Sequence, residues 1–348
     1  MERGKGRLWF HVASVGEFNT AKPLLKRLYR DYHITLTYFS FRARKYLESQ
    51  KGKGYFHELY RLPPDIPFLI SKFERKIDPE AILIMERELW PFLILSTRAP
   101  KVWLNAYSKG GVLERWFSKR FSLILAREER SSEKFRSYGS AHVHSCGNLK
   151  FVLEEPPPSE LEVKGSKLLV AGSTHSGEEL IIKRAYERLL RDFESLKLLI
   201  APRHVSRAGE VMKLFDGMGV CLRSREEKGW KVLVVDTLGE LFSLYRYANV
   251  AFVGGTFVPV GGHNLLEPAY FGKPVLYGPN TKKVEDLRAF LEERGLGFCV
   301  KDEEELYRRL LELLSREENT DKTGLREHSE KVLECYLSSL NTFLKKVL

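Results

Sequence analysis

The chain has 348 residues, 43% of them hydrophobic, which is enough for about two domains of roughly 150 residues each and a sizeable core. Its net charge of +11 calls for an anionic partner, and sign alone leaves nucleic acid, an anionic membrane surface and a phosphorylated substrate all open. Four scattered cysteines (Cys146, Cys221, Cys299, Cys335) without a CxxC pair argue against a disulfide framework or a zinc site and point to a reducing compartment, and no apolar run of about 18 residues encodes a membrane span.

Taken in order, strand 9–14 leaves through Gly16 and Glu17 into a helix over 18–32, followed by strand 33–40, helix 41–49 and a strand over 55–62 that stops at Pro63-Pro64. The alternation continues with helix 65–76, buried strand 81–85, helix 90–97, strand 101–105, and segments 113–120, 123–126, 128–138 and 142–146. Glu-Glu-Pro-Pro-Pro-Ser (154–159) fits neither period and reads as a linker. The pattern then restarts with strand 167–171, helix 177–192, strand 196–201, helix 206–218, segments 231–235 and 238–247, buried strand 249–253, short strand 275–277, helix 284–293 and a charged helical tail from 303. Strands alternating with helices predict doubly wound parallel sheets of the α/β class. The expected division is 1–153, a linker over 154–160, and 161–348, with the last helix able to pack back on the first domain. Ligands are expected outside the strand C-termini, in a crevice between the two halves.

The candidate residues do follow strands. In the first half these are Glu17, the pair Glu86 and Glu88 placed on one side by the strand period while Arg87 points away, and Lys150 in Gly-Asn-Leu-Lys. Glu17 reads either as a base at the crevice or as an ordinary first-turn glutamate favoured by the helix dipole. The basic cluster with Arg42 and Arg44 reads as a phosphate contact or a solvated helix face. In the second half, the turn with Ser173, Thr174 and His175 precedes a helix, Pro202-Arg203-His204 ends a strand, and Asp236-Thr-Leu238-Gly239-Glu240 offers amides before another helix. The glycines Gly254, Gly255, Gly261 and Gly262 clear the backbone for an anion, while Asn264 reads as an N-cap closed by Glu267, which alternatively faces a ribose. One half collects carboxylates and the other anion-binding turns, as group transfer from a nucleotide donor requires. The absence of an Asp-x-Asp pair, of GxxxxGK[ST] and of an early GxGxxG argues against a metal held that way and against P-loop or NAD chemistry.

Seven co-linear motifs resemble one family: Ala-Ser-Val-Gly-Glu (13–17), Glu-Arg-Glu-Leu-Trp-Pro (86–91), Gly-Asn-Leu-Lys-Phe (147–151), Ser-Thr-His-Ser-Gly-Glu-Glu (173–179), Pro-Arg-His (202–204), Asp-Thr-Leu-Gly-Glu (236–240) and Phe-Val-Gly-Gly…Gly-Gly-His-Asn-Leu-Leu-Glu (252–267). They are similar to those of the Kdo transferases of lipopolysaccharide biosynthesis. The resemblance implies a GT-B fold, two Rossmann-like domains facing a central cleft, and inverting transfer of 3-deoxy-D-manno-octulosonic acid (Kdo) from CMP-Kdo to a lipid A precursor such as lipid IVA. By position it implies Glu17 as proton acceptor, Glu88 and Lys150 as transition-state stabilisers, and Pro202, Arg203, Leu238, Gly239, Glu240, Asn264, Leu265, Leu266 and Glu267 as CMP-binding. Ser173, Thr174, Arg42 and Arg44 are further candidate donor or acceptor contacts.

It further implies no metal and no cofactor, CMP-Kdo being a substrate, and no nucleic-acid partner. Action is expected at an anionic membrane surface, on the cytoplasmic face of the bacterial inner membrane. Two departures stand out. The chain begins about seven residues before its first strand, where family members usually carry an apolar anchor: either a native anchor is missing from this sequence, or docking rests on basic and aromatic surface such as Phe39, Phe41, Arg42, Arg44 and Lys45. Asn-Ala-Tyr-Ser (105–108) replaces an expected Asn-Ala-Arg-Leu-Ser. Another GT-B enzyme, a UDP-sugar transferase or epimerase, is the alternative on the second-half glycines alone. A basic nucleic-acid binder is disfavoured, since there is no zinc finger and no RNP-type motif. Gln50 is the only glutamine, a bias that resembles hyperthermophile proteins.

Overall fold

The computed structural model describes residues 6–163, 165–225, 228–316 and 324–347. The chain forms two compact units, Met1–Glu154 with His328–Leu348, and Glu155–Glu327. The first holds β1 (Gly6–Val12), β2 (Tyr32–Tyr38), β3 (Glu58–Arg61), β4 (Ala81–Met85), β5 (Lys101–Ala106), β6 (Leu123–Ala126) and β7 (Val143–Ser145). All pair in parallel, in the order β3-β2-β1-β4-β5-β6-β7. The order reverses between β1 and β4, where doubly wound sheets bind ligands.

Because β4 is central, every residue in it is buried, the continuous apolar run that a strand covered on both faces needs. Alternate side chains supply the two faces. Leu8, Phe10, Leu83 and Met85 pack on one side, and Trp9, Ile82, Ile84 and Trp103 on the other.

The first face is closed by the C-terminal helix Gly324–Val347, whose Val332, Tyr336, Leu340 and Leu344 join that core. Tyr336 donates to the carbonyl of Gly147 (3.0 Å) and Ser329 donates to that of Phe151 (3.2 Å). Gly147 has φ +90°, and a Cβ there would lie 2.8 Å from Val332 Cγ2, so glycine is required where helix and strand exit meet. The contact is covalent as well, through a disulfide between Cys146 and Cys335. This corrects the expectation drawn from the scattered cysteines, because the partners are 189 residues apart and no local spacing signals them. Intracellular disulfides are also at home in the hyperthermophile proteins that the glutamine-poor composition resembles.

The second unit holds β8 (Leu168–Thr174), β9 (Lys197–Pro202), β10 (Val220–Leu222), β11 (Val232–Val234), β12 (Val250–Val253), β13 (Val275–Tyr277) and β14 (Gly297–Cys299), again all parallel, in the order β10-β11-β9-β8-β12-β13-β14. The three-residue edge strands β10 and β14 are additions to the elements read from the sequence. At three residues each, and only partly buried, they are too short to show a period. The segment after Glu154 has no regular structure and is strapped to the second unit by Ser243 to the Pro157 carbonyl (2.6 Å), Tyr247 to that of Ser159 (2.7 Å) and Arg223 to that of Glu160 (2.8 Å).

Leu340 is fully buried in the core that the last helix closes. Leu340→Ala should lower unfolding stability by about 2–5 kcal/mol in denaturant titration, and a loss under about 0.5 kcal/mol would mean that the helix is not part of that core.

Candidate active site

In the first unit the chemistry gathers at the exits of β1, β4 and β5. Ser14 is the N-cap of helix Val15–Asp31 and accepts the Glu17 amide (3.3 Å), while Glu17 reaches back to accept the Ala13 amide (2.7 Å). This reciprocal cap fixes Glu17 at the first turn. Burial pushes its pKa up to about 8, the Ala13 amide opposing this and Glu88 and Glu86 adding to it. Glu17 thus caps the helix, as a first-turn glutamate does, and is also a carboxyl group that keeps its proton to neutral pH.

Glu86 and Glu88 do face Glu17 while Arg87 turns away to pair with Glu114 (2.5 Å), but the strand period is not the cause. β4 ends at Met85 and Glu86 is in the left-handed region (φ +49°), held by its amide to the Leu104 carbonyl (2.8 Å) and by Trp103 donating to its own carbonyl. Glu88 accepts from Trp90 Nε1 (2.7 Å), and burial raises its pKa against that bond.

Two residues that sequence reasoning did not single out organise this group. Asn105, buried and left-handed (φ +51°), donates to Glu86 (3.4 Å) and accepts the Leu149 amide (3.0 Å), which ties the carboxylates to the 3₁₀ turn Leu149–Phe151 carrying Lys150. That turn packs on the helix of Glu17, and Asn148 caps it by accepting the Lys150 amide (3.0 Å). His11 is fully buried, with Nδ1 2.9 Å from Thr37 Oγ1 and Nε2 4.0 Å from Glu88. Burial lowers its pKa to about 3, so it is a neutral ring beside the carboxylates. Both are polar residues pointing inward from apolar strands, a pattern that the sequence alone reads as core. Arg42 and Arg44 lie on the exposed surface after β2, Arg44 paired with Glu48 (2.9 Å).

In the second unit the glycine-rich turn differs from expectation. The amides of Gly255, Thr256 and Phe257 already donate to the carboxylate of Glu178 at 2.8–3.0 Å, and the His175 amide joins them at 2.9 Å. The protein's own carboxylate thus fills the anion cradle. Gly254 is there for close packing, since a Cβ would sit 2.5 Å from the Ser173 carbonyl. Thr174 is also committed internally, buried and donating to Glu179 (3.0 Å).

Other candidates are placed at strand exits. Ser173 is left-handed (φ +56°), and Arg203 is exposed just after β9. Leu238 is exposed, Gly239 has φ +89°, and Glu240 is paired with Arg223 (3.2 Å). Asn264 is not the N-cap; that position is Leu265, and Asn264 accepts the Leu266 amide (3.1 Å) while its own amide group donates to Glu267 (3.2 Å). Burial raises Glu267 to about 7. Leu265 and Leu266 are core residues, their side chains committed to packing.

Two parallel seven-stranded α/β units are the architecture of the GT-B fold. The chain is similar in fold to the UDP-GlcNAc 2-epimerase from Neisseria meningitidis, with a TM-score of 0.61 over 97% of this chain and 100% of that one at 12% identity. Residues 1–153 match the family model described as 3-deoxy-D-manno-octulosonic-acid transferase (kdotransferase). Among curated proteins, the 3-deoxy-D-manno-octulosonic acid transferase of Aquifex aeolicus is 45% identical, covering 98% of this chain and 94% of that protein; that of Haemophilus influenzae is 30% identical, covering 91% and 81%. The chain belongs to the Kdo transferase family and is a glycosyltransferase.

The raised pKa of Glu17 has a consequence for stability. Between about pH 4.5 and pH 8 the folded chain keeps a proton that the unfolded chain has shed, so stability falls as pH rises through that window. Glu17→Gln removes this dependence. Its melting temperature should exceed the wild type's at pH 8.5 and converge with it near pH 4, whereas parallel profiles in thermal scans would refute the desolvation of Glu17.

Proposed function

We propose that this chain transfers Kdo from CMP-Kdo to a hydroxyl of a phosphorylated lipid A precursor, with Glu17 as general base. The observation that carries this reading is the carboxyl group of Glu17, held at the first turn of its helix, desolvated and beside two further carboxylates. A base with proton affinity near the working pH takes a hydroxyl proton effectively as the oxygen attacks. In the inverting reaction the acceptor oxygen bonds to the anomeric carbon from the side opposite the phosphate. The carbon–oxygen bond to CMP breaks with its electron pair on the phosphate, and the hydroxyl proton passes to Glu17. Lys150, in the turn packed on the helix of Glu17, supplies a cation for the charge that develops, and Glu88 orients the reacting groups.

The donor is assigned to the second unit, through Arg203, the 238–240 turn and Asn264 to Glu267. The lipid is assigned to the first, where a groove of about 900 Å³ lined by Trp90, Phe92, Leu95, Leu113 and Trp116 runs beside Glu88. Its apolar walls suit acyl chains.

Among the described residues no helix is long and apolar enough to cross a membrane. The proposed site of action, the cytoplasmic face of the inner membrane, is supported by the exposed Phe39 and Phe41 beside Arg42, Arg44 and Lys45, together with the +11 charge.

The test is transfer from CMP-Kdo generated in situ to a tetraacylated lipid A precursor. The wild type should form product, with kcat rising with pH to a plateau above about pH 8. Glu17→Ala should lose about 10²–10⁴-fold in rate while binding CMP as before. No product from a folded wild type, or an unimpaired variant, would overturn the acceptor or the base respectively.

A further inference from the structure

In the second unit two histidines meet nitrogen to nitrogen. His175, following β8, and His263, following the paired glycines Gly261 and Gly262, place their Nε2 atoms 2.8 Å apart with rings parallel to within 2°. The approach is built in at both ends. The His175 amide is held by Glu178, the same carboxylate that gathers the 255–257 amides, and a Cβ at Gly255 would come within 3.0 Å of the His263 ring.

Two imidazole nitrogens at this distance share one hydrogen, so one Nε2 donates and the other accepts. The pair is then two neutral rings. It accepts one further proton, on the outer nitrogen of the donating ring, without losing the shared bond; a second proton would set N–H against N–H and break it. The pair thus has capacity for one proton.

The side chains that act on the pair are mostly basic. His204 lies edge-on to His175 with centroids 6.1 Å apart; burial, with His175, Arg203, Lys283 and His204 adding to it, lowers His263 to about 4, and burial, together with His204 and Arg203, outweighs Glu178 and Glu179 and also lowers His175. The acidic neighbours are Glu178 and Glu179, both already engaged: Glu178 by four amides, Glu179 by Arg207 (2.7 Å) and Thr174. An uncompensated cluster of cations around a neutral imidazole pair suits an anion that arrives together with a proton.

We propose that His175 and His263, with Arg203, form the seat of the donor's phosphate, and that the imidazole pair takes up one proton from solvent when the phosphate binds. The inference rests on the assignment of a cytidine nucleotide donor to this unit. It gives the site a cation that is present only when the ligand is. A phosphodiester leaves as a monoester and gains a negative charge when its bond to the sugar carbon breaks, so a proton already held by the pair offsets that charge.

The test is calorimetric titration of the full chain with CMP at pH 7.5, in Hepes and in Tris, whose different ionisation heats count protons. At that pH the CMP phosphate, with a second pKa of about 6, is already doubly charged and contributes little. The wild type should take up on the order of one proton per CMP. His263→Asn and His175→Asn should bind about tenfold more weakly with no uptake. His175→Gln, which can still bond to His263 but cannot titrate, should bind nearly as the wild type at pH 8.5 and fail to tighten as pH falls. Binding without proton uptake in the wild type, or unchanged uptake in the folded variants, would overturn the pair's role and leave the donor assignment standing. A folded wild type that does not bind CMP would overturn the donor assignment and the inference together.

Discussion

Everything in this molecule depends on its strands running parallel within each sheet, because that sends every strand exit in a unit to one edge. At such an edge the chain must leave an extended strand abruptly, and the described residues show how. Of four non-glycine residues with positive φ, Asp78 ends a helix, while Glu86, Asn105 and Ser173 sit at strand exits. Each such conformation costs on the order of 1–3 kcal/mol and persists only where surrounding bonds over-determine it. Here those bonds come from Trp103, Leu104 and Leu149, so the strain and the placement of the carboxylates share one cause.

Two glutamates show how much local supply of amides decides. Glu178 receives four N–H groups and serves as a fastener between turns. Glu17 is desolvated by burial, receives one N–H, from Ala13, and faces two other carboxylates, so it keeps a high proton affinity. A carboxylate with many donors is structural; one with few donors, in a dry place, is chemically available. The difference lies in the backbone around each residue, not in residue type.

That distinction also marks where the sequence was legible. Apolar runs flanked by turn residues announced the parallel sheets, and the motifs following those runs located Glu17, Glu88, Lys150 and Arg203 at strand exits. What depended on pairing across long separations was not visible. Nothing near Cys146 marks Cys335 as its partner, and nothing in the glycine-rich turn shows that Glu178, far earlier in the chain, would occupy its amides. Asn105 and His11 were hidden for a different reason: within apolar strands they read as ordinary core positions, and only three-dimensional neighbours reveal what they hold.

The return of the final helix to the first unit makes the second unit an insertion within the first, rather than its successor along the chain. The boundary at Glu154 is therefore not a place where the protein can be divided into two self-sufficient pieces. A fragment ending there would expose the apolar surface that Val332, Tyr336, Leu340 and Leu344 cover. A chain nicked in the proline-rich stretch would remain one covalent molecule, since Cys146 and Cys335 lie on opposite sides of the cut. In topological terms the second unit is a loop tied at its base.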